Sequence, residues 1–218
     1  MFQTMPLRYS LLTPLVAVCL AQIGCSPSPS TPKYASPQEV FDAANTCVKA
    51  KDYEGFFRCL APESQDYMAG MLVMGPMLFK QMATRMGGGK DAANAFALVD
   101  KVLQKHGVNP NKVDLAAHSQ ITEKEDQVKS VVAMSAGIKD KPAFMAEMIK
   151  AMEGIAKNNK SNFIESKLPY GDVTLEDVKV DGNSASGTAV NSKNGTKEEV
   201  KFTNIDGGWR IALDAEPI

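Results

Sequence analysis

Three Asx-Gly dipeptides constrain the C-terminal part of this chain more than any other feature. Asp181-Gly182, Asn194-Gly195 and Asp206-Gly207 separate four short segments that are rich in β-forming residues. Such dipeptides favour tight β-hairpin turns, because both of their residues tolerate positive φ. The sequence therefore predicts an antiparallel meander of four strands. The predicted strands cover residues 172–180, 184–191, 197–204 and 209–214.

Hydrophobic alternation indicates which way the strands face. Trp209, Ile211 and Leu213 alternate with polar residues, so we expect them on one face, towards the core. In the first strand the alternation changes phase between Leu175 and Val178. We therefore predict a β-bulge between these two residues.

The preceding part of the chain has the 3.6-residue period of helices. Ser36 as N-cap, Pro37 at the first helical position and Glu39 at the capping-box position predict a helix that runs to about Lys49. Further helices are predicted from about Asp52, Glu63, Asp91, Thr122 and Lys141. Thr122 and Glu125 have the spacing of a second capping box.

Two places in the helical region are less regular. Gly75-Pro76 is expected to kink or split the third helix. Residues 108–120 are predicted to form a loop, or a strand at 113–117. The predicted fold class is α+β, in one domain over residues 37–218. It consists of N-terminal helices, a long helical insertion over 62–160 and a C-terminal four-stranded antiparallel meander sheet over 170–214.

The N-terminus has the pattern of an export signal. Arg8 is followed by an apolar run from Leu11 to Ala21, which is shorter than the roughly 20 residues that span a bilayer. The five residues from Ala21 to Cys25 resemble the lipobox of bacterial lipoproteins. The resemblance implies that residues 1–24 are a cleaved signal peptide and that Cys25 becomes the diacylated N-terminus.

The segment after Cys25 has the composition of a tether. Residues 25–36 are rich in Ser and Pro, which favours an extended chain. Because Ser26 rather than Asp comes directly after the cysteine, the resemblance implies sorting to the outer membrane, facing the periplasm. The alternative is ordinary secretion, with cleavage near Ala21 and a free thiol at Cys25.

Charge excludes one class of partner. The chain carries 24 Lys and Arg against 25 Asp and Glu. Removal of Arg8 with the signal leaves 23 cations against 25 anions, a net charge of −2. Nucleic-acid-binding domains carry a basic surface, so a nucleic-acid partner is not expected.

Two cysteines remain after export. Cys19 leaves with the signal and Cys25 takes the lipid, so Cys47 and Cys59 form an even pair in an oxidising compartment. They lie near the ends of two successive predicted helices, whose antiparallel packing would bring them together. We predict a disulfide; the alternative is two buried thiols. A metal site is disfavoured because no histidine lies nearby.

An uncharged run from Met68 to Phe79 contains four methionines at steps of three. Met68, Met71, Met74 and Met77 are candidates for a ligand or partner surface, together with Trp209. The competing interpretation is a buried, adaptable helix. Thioethers also bind Cu(I). However, steps of three turn by about −60° on an α-helix, so only neighbouring pairs could chelate.

Few residues have the chemistry of a catalytic site. Asp100, His106 and His118 are the candidate acids or bases, and no metal-ligand spacing joins them. No cofactor is predicted. The sequence leaves an enzyme as an alternative and favours a non-catalytic domain that binds a protein partner or a small apolar ligand.

The two ends of the domain resemble a known superfamily. The resemblance lies in the first helix from Ser36 to Tyr53, and in the segments 178–185, 200–202 and 206–211. These are similar to the nuclear transport factor two-like superfamily of cone-shaped α+β domains. The superfamily includes many bacterial lipoproteins of unknown function. It also implies the alternative of an enzyme that acts on a small apolar substrate, but no catalytic residue can be assigned from it.

Overall fold

The computed structural model describes residues 32–85, 89–158 and 172–214. Within these ranges seven α-helices precede four β-strands, which confirms the α+β arrangement. The helices are α1 (Pro37–Lys49), α2 (Tyr53–Arg58), α3 (Pro62–Arg85), α4 (Gly89–Lys105), α5 (Leu115–Ser119), α6 (Lys124–Met134) and α7 (Lys141–Asn158). The strands are β1 (Val173–Asp181), β2 (Ser184–Asn191), β3 (Lys197–Ile205) and β4 (Gly208–Ala212). The predicted signal peptide and Cys25 lie outside the described residues.

The first two helices begin where the sequence predicts. The Ser36 hydroxyl accepts a hydrogen bond from the Glu39 backbone N–H at 3.2 Å, and Pro37 occupies the first turn. The Glu39 carboxylate reaches back to the Ala35 N–H at 2.8 Å. Asp52 caps α2 by accepting from the Gly55 N–H at 3.0 Å. These caps satisfy N–H groups that the first helical turn leaves unpaired.

The sheet confirms the predicted meander. Its strands pair antiparallel in the order β1-β2-β3-β4. Asp206 and Gly207 both have positive φ, at 52° and 76°, as a two-residue hairpin turn requires. The predicted bulge is also present, because the register shifts between Glu176 and Lys179 and Asp177 has a φ of 53°.

The helix α3 is not split at Gly75-Pro76, contrary to one of the two outcomes that the sequence suggested. It runs as one element from Pro62 to Arg85. A proline ring clashes with the Cβ of the residue before it when that residue is helical, and Gly75 has no Cβ. Pro76 itself is buried, beside the buried Val73. Its packing offsets the backbone hydrogen bond that the proline removes.

Two predictions in the next segment are wrong. No strand forms at 113–117, where α5 lies instead. Asp114 caps this helix by accepting from the Ala117 N–H at 2.8 Å, and Leu115 is buried. The capping box predicted from Thr122 does not form either. Glu123 is the N-cap of α6 and its side chain makes no capping bond.

One main core joins the helices to the sheet. Phe41, Phe57, Phe144 and Phe202 are fully buried in it. Trp209 and Ile211 belong to the same cluster, as their strand alternation predicts. A smaller cluster between α3, α5 and α6 contains Tyr67, Met74, Leu115 and Val131.

The outer edge of β4 is covered by two segments of chain. The Ile211 N–H donates to the Cys59 carbonyl at 2.9 Å, and the Ala61 N–H donates to the Ile211 carbonyl at 2.8 Å. Further along, the Trp209 N–H donates to the Tyr34 carbonyl at 2.9 Å. The end of the predicted tether is therefore fixed against the sheet, next to Cys59.

Candidate functional site

The four methionines at steps of three are mainly part of the core. Met74 is 1% exposed, and Met68, Met71 and Met77 are partly buried. Met68 packs against the main core, whereas Met71 packs against the smaller cluster. This division follows from the rotation of about −60° between successive members. The described residues contain no group of three or more His, Cys, Asp or Glu side chains that could hold a metal ion.

Trp209 is also a core residue. It is 6% exposed and contributes to the main cluster, so it does not form a surface in this structure. Strand alternation places Arg210 on the opposite face of β4.

The apolar surface of α3 lies on its outward side and extends one turn beyond the predicted run. Met71, Gly75, Leu78 and Met82 have the spacing i, i+4, i+7 and i+11, which places them within about 60° of one another around the helix. Phe79 borders this line, and Met71 at its N-terminal end is partly buried against the smaller cluster. The exposed fraction is 36% for Leu78, 62% for Phe79 and 58% for Met82. We call these five residues the α3 strip.

The opposite side of α3 is apolar as well. Within the run from Met68 to Phe79, Val73 is buried there and Met77 packs against both hydrophobic clusters. A helix that is apolar on all sides is normally buried on all sides or in contact with lipid. The α3 strip therefore has the composition of a contact surface.

An aromatic contact links the strip to α4. The rings of Phe79 and Phe96 lie 5.7 Å apart between centroids, and Phe96 is buried on α4. Beside them, the Lys80 ammonium pairs with the Asp100 carboxylate at 2.6 Å. These two contacts hold α3 in one orientation against α4. The exposed side chains of the strip therefore keep a fixed position on the domain.

The three candidate acids and bases lie in separate local pairs. Asp100 bonds to Lys80, and His118 Nδ1 lies 3.1 Å from the Ser130 hydroxyl. His106 Nε2 lies 3.5 Å from a Glu147 carboxylate oxygen, and its ring packs edge-on against Phe144 at 5.4 Å. The structure does not bring these three groups to one place.

The carboxyl group of Glu147, the neighbour of His106, has a lowered pKa. The Lys105 ammonium donates to it at 2.6 Å and, with a smaller contribution from His106, lowers the pKa of the Glu147 carboxyl. The pair with Lys105 is largely exposed, so its effect on stability is small. Lys105, His106 and Glu147 therefore form a polar contact between the end of α4 and α7.

Cys47 and Cys59 are free thiols in the structure. Both sulfurs approach Gly55. A Cβ at that glycine would lie 2.8 Å from the Cys47 sulfur, and the Cys59 thiol donates to the Gly55 carbonyl at 3.3 Å. Burial, together with nearby Cys59 and Asp52, raises the pKa of the Cys47 thiol to about 11. The two thiols therefore lie near the same glycine, and the predicted disulfide is not formed in this structure.

Tyr34 and Arg210 complete the surroundings of the buried thiol. The Tyr34 hydroxyl lies 3.4 Å from the Cys59 sulfur, and the Arg210 guanidinium lies 5.7 Å from the centre of the Tyr34 ring. Burial raises the pKa of the Cys59 thiol, while the Tyr34 hydrogen bond and the Arg210 charge oppose this shift. Burial and the hydrogen bond to Cys59 likewise raise the pKa of Tyr34. The thiols are therefore protonated near neutral pH.

None of the helices in the described part of the chain combines the length and apolar character of a membrane-spanning segment. Comparisons with protein-family models, curated proteins and solved structures find no match for this chain. The similarity of the two ends to the nuclear transport factor two-like superfamily stays a prediction, and it assigns no residue a role.

Proposed function

We propose that this chain is an exported bacterial lipoprotein that acts as a non-catalytic binding domain. In this proposal Cys25 carries the lipid anchor, residues 26–31 belong to a short tether, and the α3 strip is the contact surface. The domain would work at the cell envelope, on the periplasmic side of the outer membrane.

The observation that carries the binding function is the exposure of the α3 strip. An enzyme of this size would require an acid or base within an enclosed site, whereas a binding domain presents apolar surface. Leu78, Phe79 and Met82 are exposed along two successive turns of one helix. Their linear arrangement fits an extended apolar surface better than a small enclosed ligand.

The local pairs of the candidate acids and bases also favour binding over catalysis. Asp100 and His106 each lie beside an oppositely charged or titratable partner that links two helices. The ion pair explains Asp100, whereas the buried His106 Nε2 lies beside Glu147 and makes no hydrogen bond to the described residues. The enzyme alternative therefore has less support than the binding function.

We also propose that Cys47 and Cys59 form a disulfide after export. Both sulfurs lie against Gly55, at the junction of α1 and α2. The oxidising compartment implied by the signal favours the bond. It would close a loop of about 13 residues, which is worth about 3 kcal/mol in the chain-entropy estimate.

Hydroxyl-radical footprinting tests whether the α3 strip is covered in the anchored protein. The oxidation rates of Phe79 and Met82 are measured in native membranes and in the chain from Ser26 to Ile218 in solution. That shorter chain retains every residue of the described core. We expect Phe79 and Met82 to react several-fold more slowly in membranes.

Leu98 on α4 is the matched control, because it is 49% exposed and lies about 200° around α4 from Phe96, the residue that contacts Phe79. Its rate should be similar in both preparations. Equal rates at Phe79 in both preparations would contradict the proposed contact surface. Uniform protection of Phe79 and Leu98 would contradict it as well, since it would show that coverage is not specific to the strip.

A further inference from the structure

We infer that the α3 strip lies in the headgroup region of the lipid bilayer to which the chain is anchored. This inference rests on the proposed function and names the occupant of the same surface. Three features of the chain support a lipid surface: the outward apolar side chains, the sign of the surrounding charge and the length of the tether.

The first feature is the kind of side chain that α3 exposes. Phe79, Leu78 and Met82 project from one side of the helix, and Gly75 next to them leaves the backbone accessible. Helices that lie in the plane of a membrane bury such a face about 5–10 Å into the boundary between headgroups and acyl chains.

The second feature is charge. Between Asp66 and Asp91 the chain contains no acidic residue, and it contains the cations Lys80, Arg85 and Lys90, of which Lys80 is paired with Asp100 on α4. Arg85 is exposed at the C-terminal end of the strip. Cations next to an apolar face are attracted to anionic headgroups. If the residues around the strip were neutral or acidic, the strip would not be attracted to anionic lipid headgroups.

The third feature is the reach of the tether. Lys33 is already fixed to the domain, because its ammonium donates to the Asp206 carbonyl at 2.9 Å. About eight peptide units separate it from Cys25, so the anchored sulfur lies at most about 29 Å away along the chain. A lipid on Cys25 would therefore keep the domain next to the bilayer. The local concentration of membrane around the domain would be high.

Tryptophan fluorescence with vesicles tests this inference directly. Phe79→Trp and Leu98→Trp are made separately in the chain from Ser26 to Ile218, which has no acylated cysteine. Each is titrated with vesicles of phosphatidylethanolamine and phosphatidylglycerol, and with phosphatidylcholine vesicles. The native Trp209 is buried and gives a constant background.

We expect a blue shift for Phe79→Trp that saturates with lipid, and no shift for Leu98→Trp. In the chain from Ser26 to Ile218 without the tryptophan substitutions, Phe79→Ser combined with Met82→Ser should lower partitioning into vesicles at least about tenfold. Leu98→Ser should change it by less than about twofold. Arg85→Glu should weaken binding to the anionic vesicles several-fold and leave phosphatidylcholine binding nearly unchanged.

Three results would overturn the inference. They are the absence of a shift for Phe79→Trp, an equal shift at both positions, and a shift that depends on protein concentration without lipid. The last would identify a second copy of the chain as the occupant. If footprinting shows Phe79 covered in native membranes but vesicles give no shift, the proposed function stands and the bilayer is not the occupant.

Discussion

Burial determines the chemistry of the two cysteine side chains. The pKa of the Cys47 thiol is raised to about 11, so at pH 8 its thiolate is about a hundredfold scarcer than on a cysteine with the ordinary value of 9.0. Cys59 is buried and its pKa is raised too. In the reduced protein, Cys47 should react with iodoacetamide about a hundredfold more slowly than in the urea-unfolded chain, and Cys59 should also react more slowly. Mass spectrometry of the peptides measures the two rates.

The same shifts give a pH dependence of stability. Between the ordinary thiol pKa of 9.0 and the native value of about 11 for Cys47, the unfolded state binds fewer protons than the native state. The free energy of unfolding of the reduced chain should therefore fall as the pH rises through this window. An oxidised sample with a Cys47–Cys59 bond should lack the effect. Alkylation of Cys47 at the unfolded rate would contradict the raised pKa.

Sequence information at the residue scale was sufficient for several residues with a local physical role, though not for the capping box at Thr122. Ser36, Asp52 and Asp177 are where the caps and the bulge were predicted, because each depends on neighbours within three residues. The exposure of Phe79 and Met82 could not be predicted. In the uncharged run from Met68 to Phe79, no charged side chain marks the side of the helix that faces solvent. Only the packed structure therefore shows which side is exposed.

At the scale of elements, the contact between α3 and α6 depends on one glycine. A Cβ at Gly70 would overlap the Val131 carbonyl group, which belongs to the backbone and cannot move aside cheaply. Gly70→Ala should therefore lower the free energy of unfolding by about 3 kcal/mol, as overpacking does. Urea unfolding measures the change.

Gly154→Ala is the matched control for this prediction. Gly154 lies within α7 and a Cβ there meets no atom within 4 Å. The substitution should raise the stability by up to about 1 kcal/mol, because alanine favours the helix. Equal effects at Gly70 and Gly154 would show that α3 and α6 are not in close contact.

The elements that could be predicted are those with strong local signals. The four strands lie within about one or two residues of their predicted bounds, because Asx-Gly turns and alternation agree. The segment around α5 was mistaken for a loop or strand. Its five-residue helix depends on the Asp114 cap and on burial of Leu115, and five residues are too few to show a period.

At the scale of the whole molecule, the proposed lipid anchor joins a helical domain with an apolar outer strip to a membrane. The strip explains why α3 is apolar on both sides, and the fixed position of Lys33 and Tyr34 against β4 places the tether on the domain. The strip and the attached tether would both hold the domain at a membrane only if the chain is lipid-anchored. The α+β fold itself does not depend on the anchor, since its core lies within the described residues.

The most direct test of this central claim is the mass of the N-terminal peptide of the mature protein, purified in detergent from its native host. A lipid-anchored chain predicts a peptide that begins at Cys25 and carries a diacylglycerol on the cysteine sulfur. A mature peptide that begins upstream, near Gln22, with an unmodified Cys25 would contradict it.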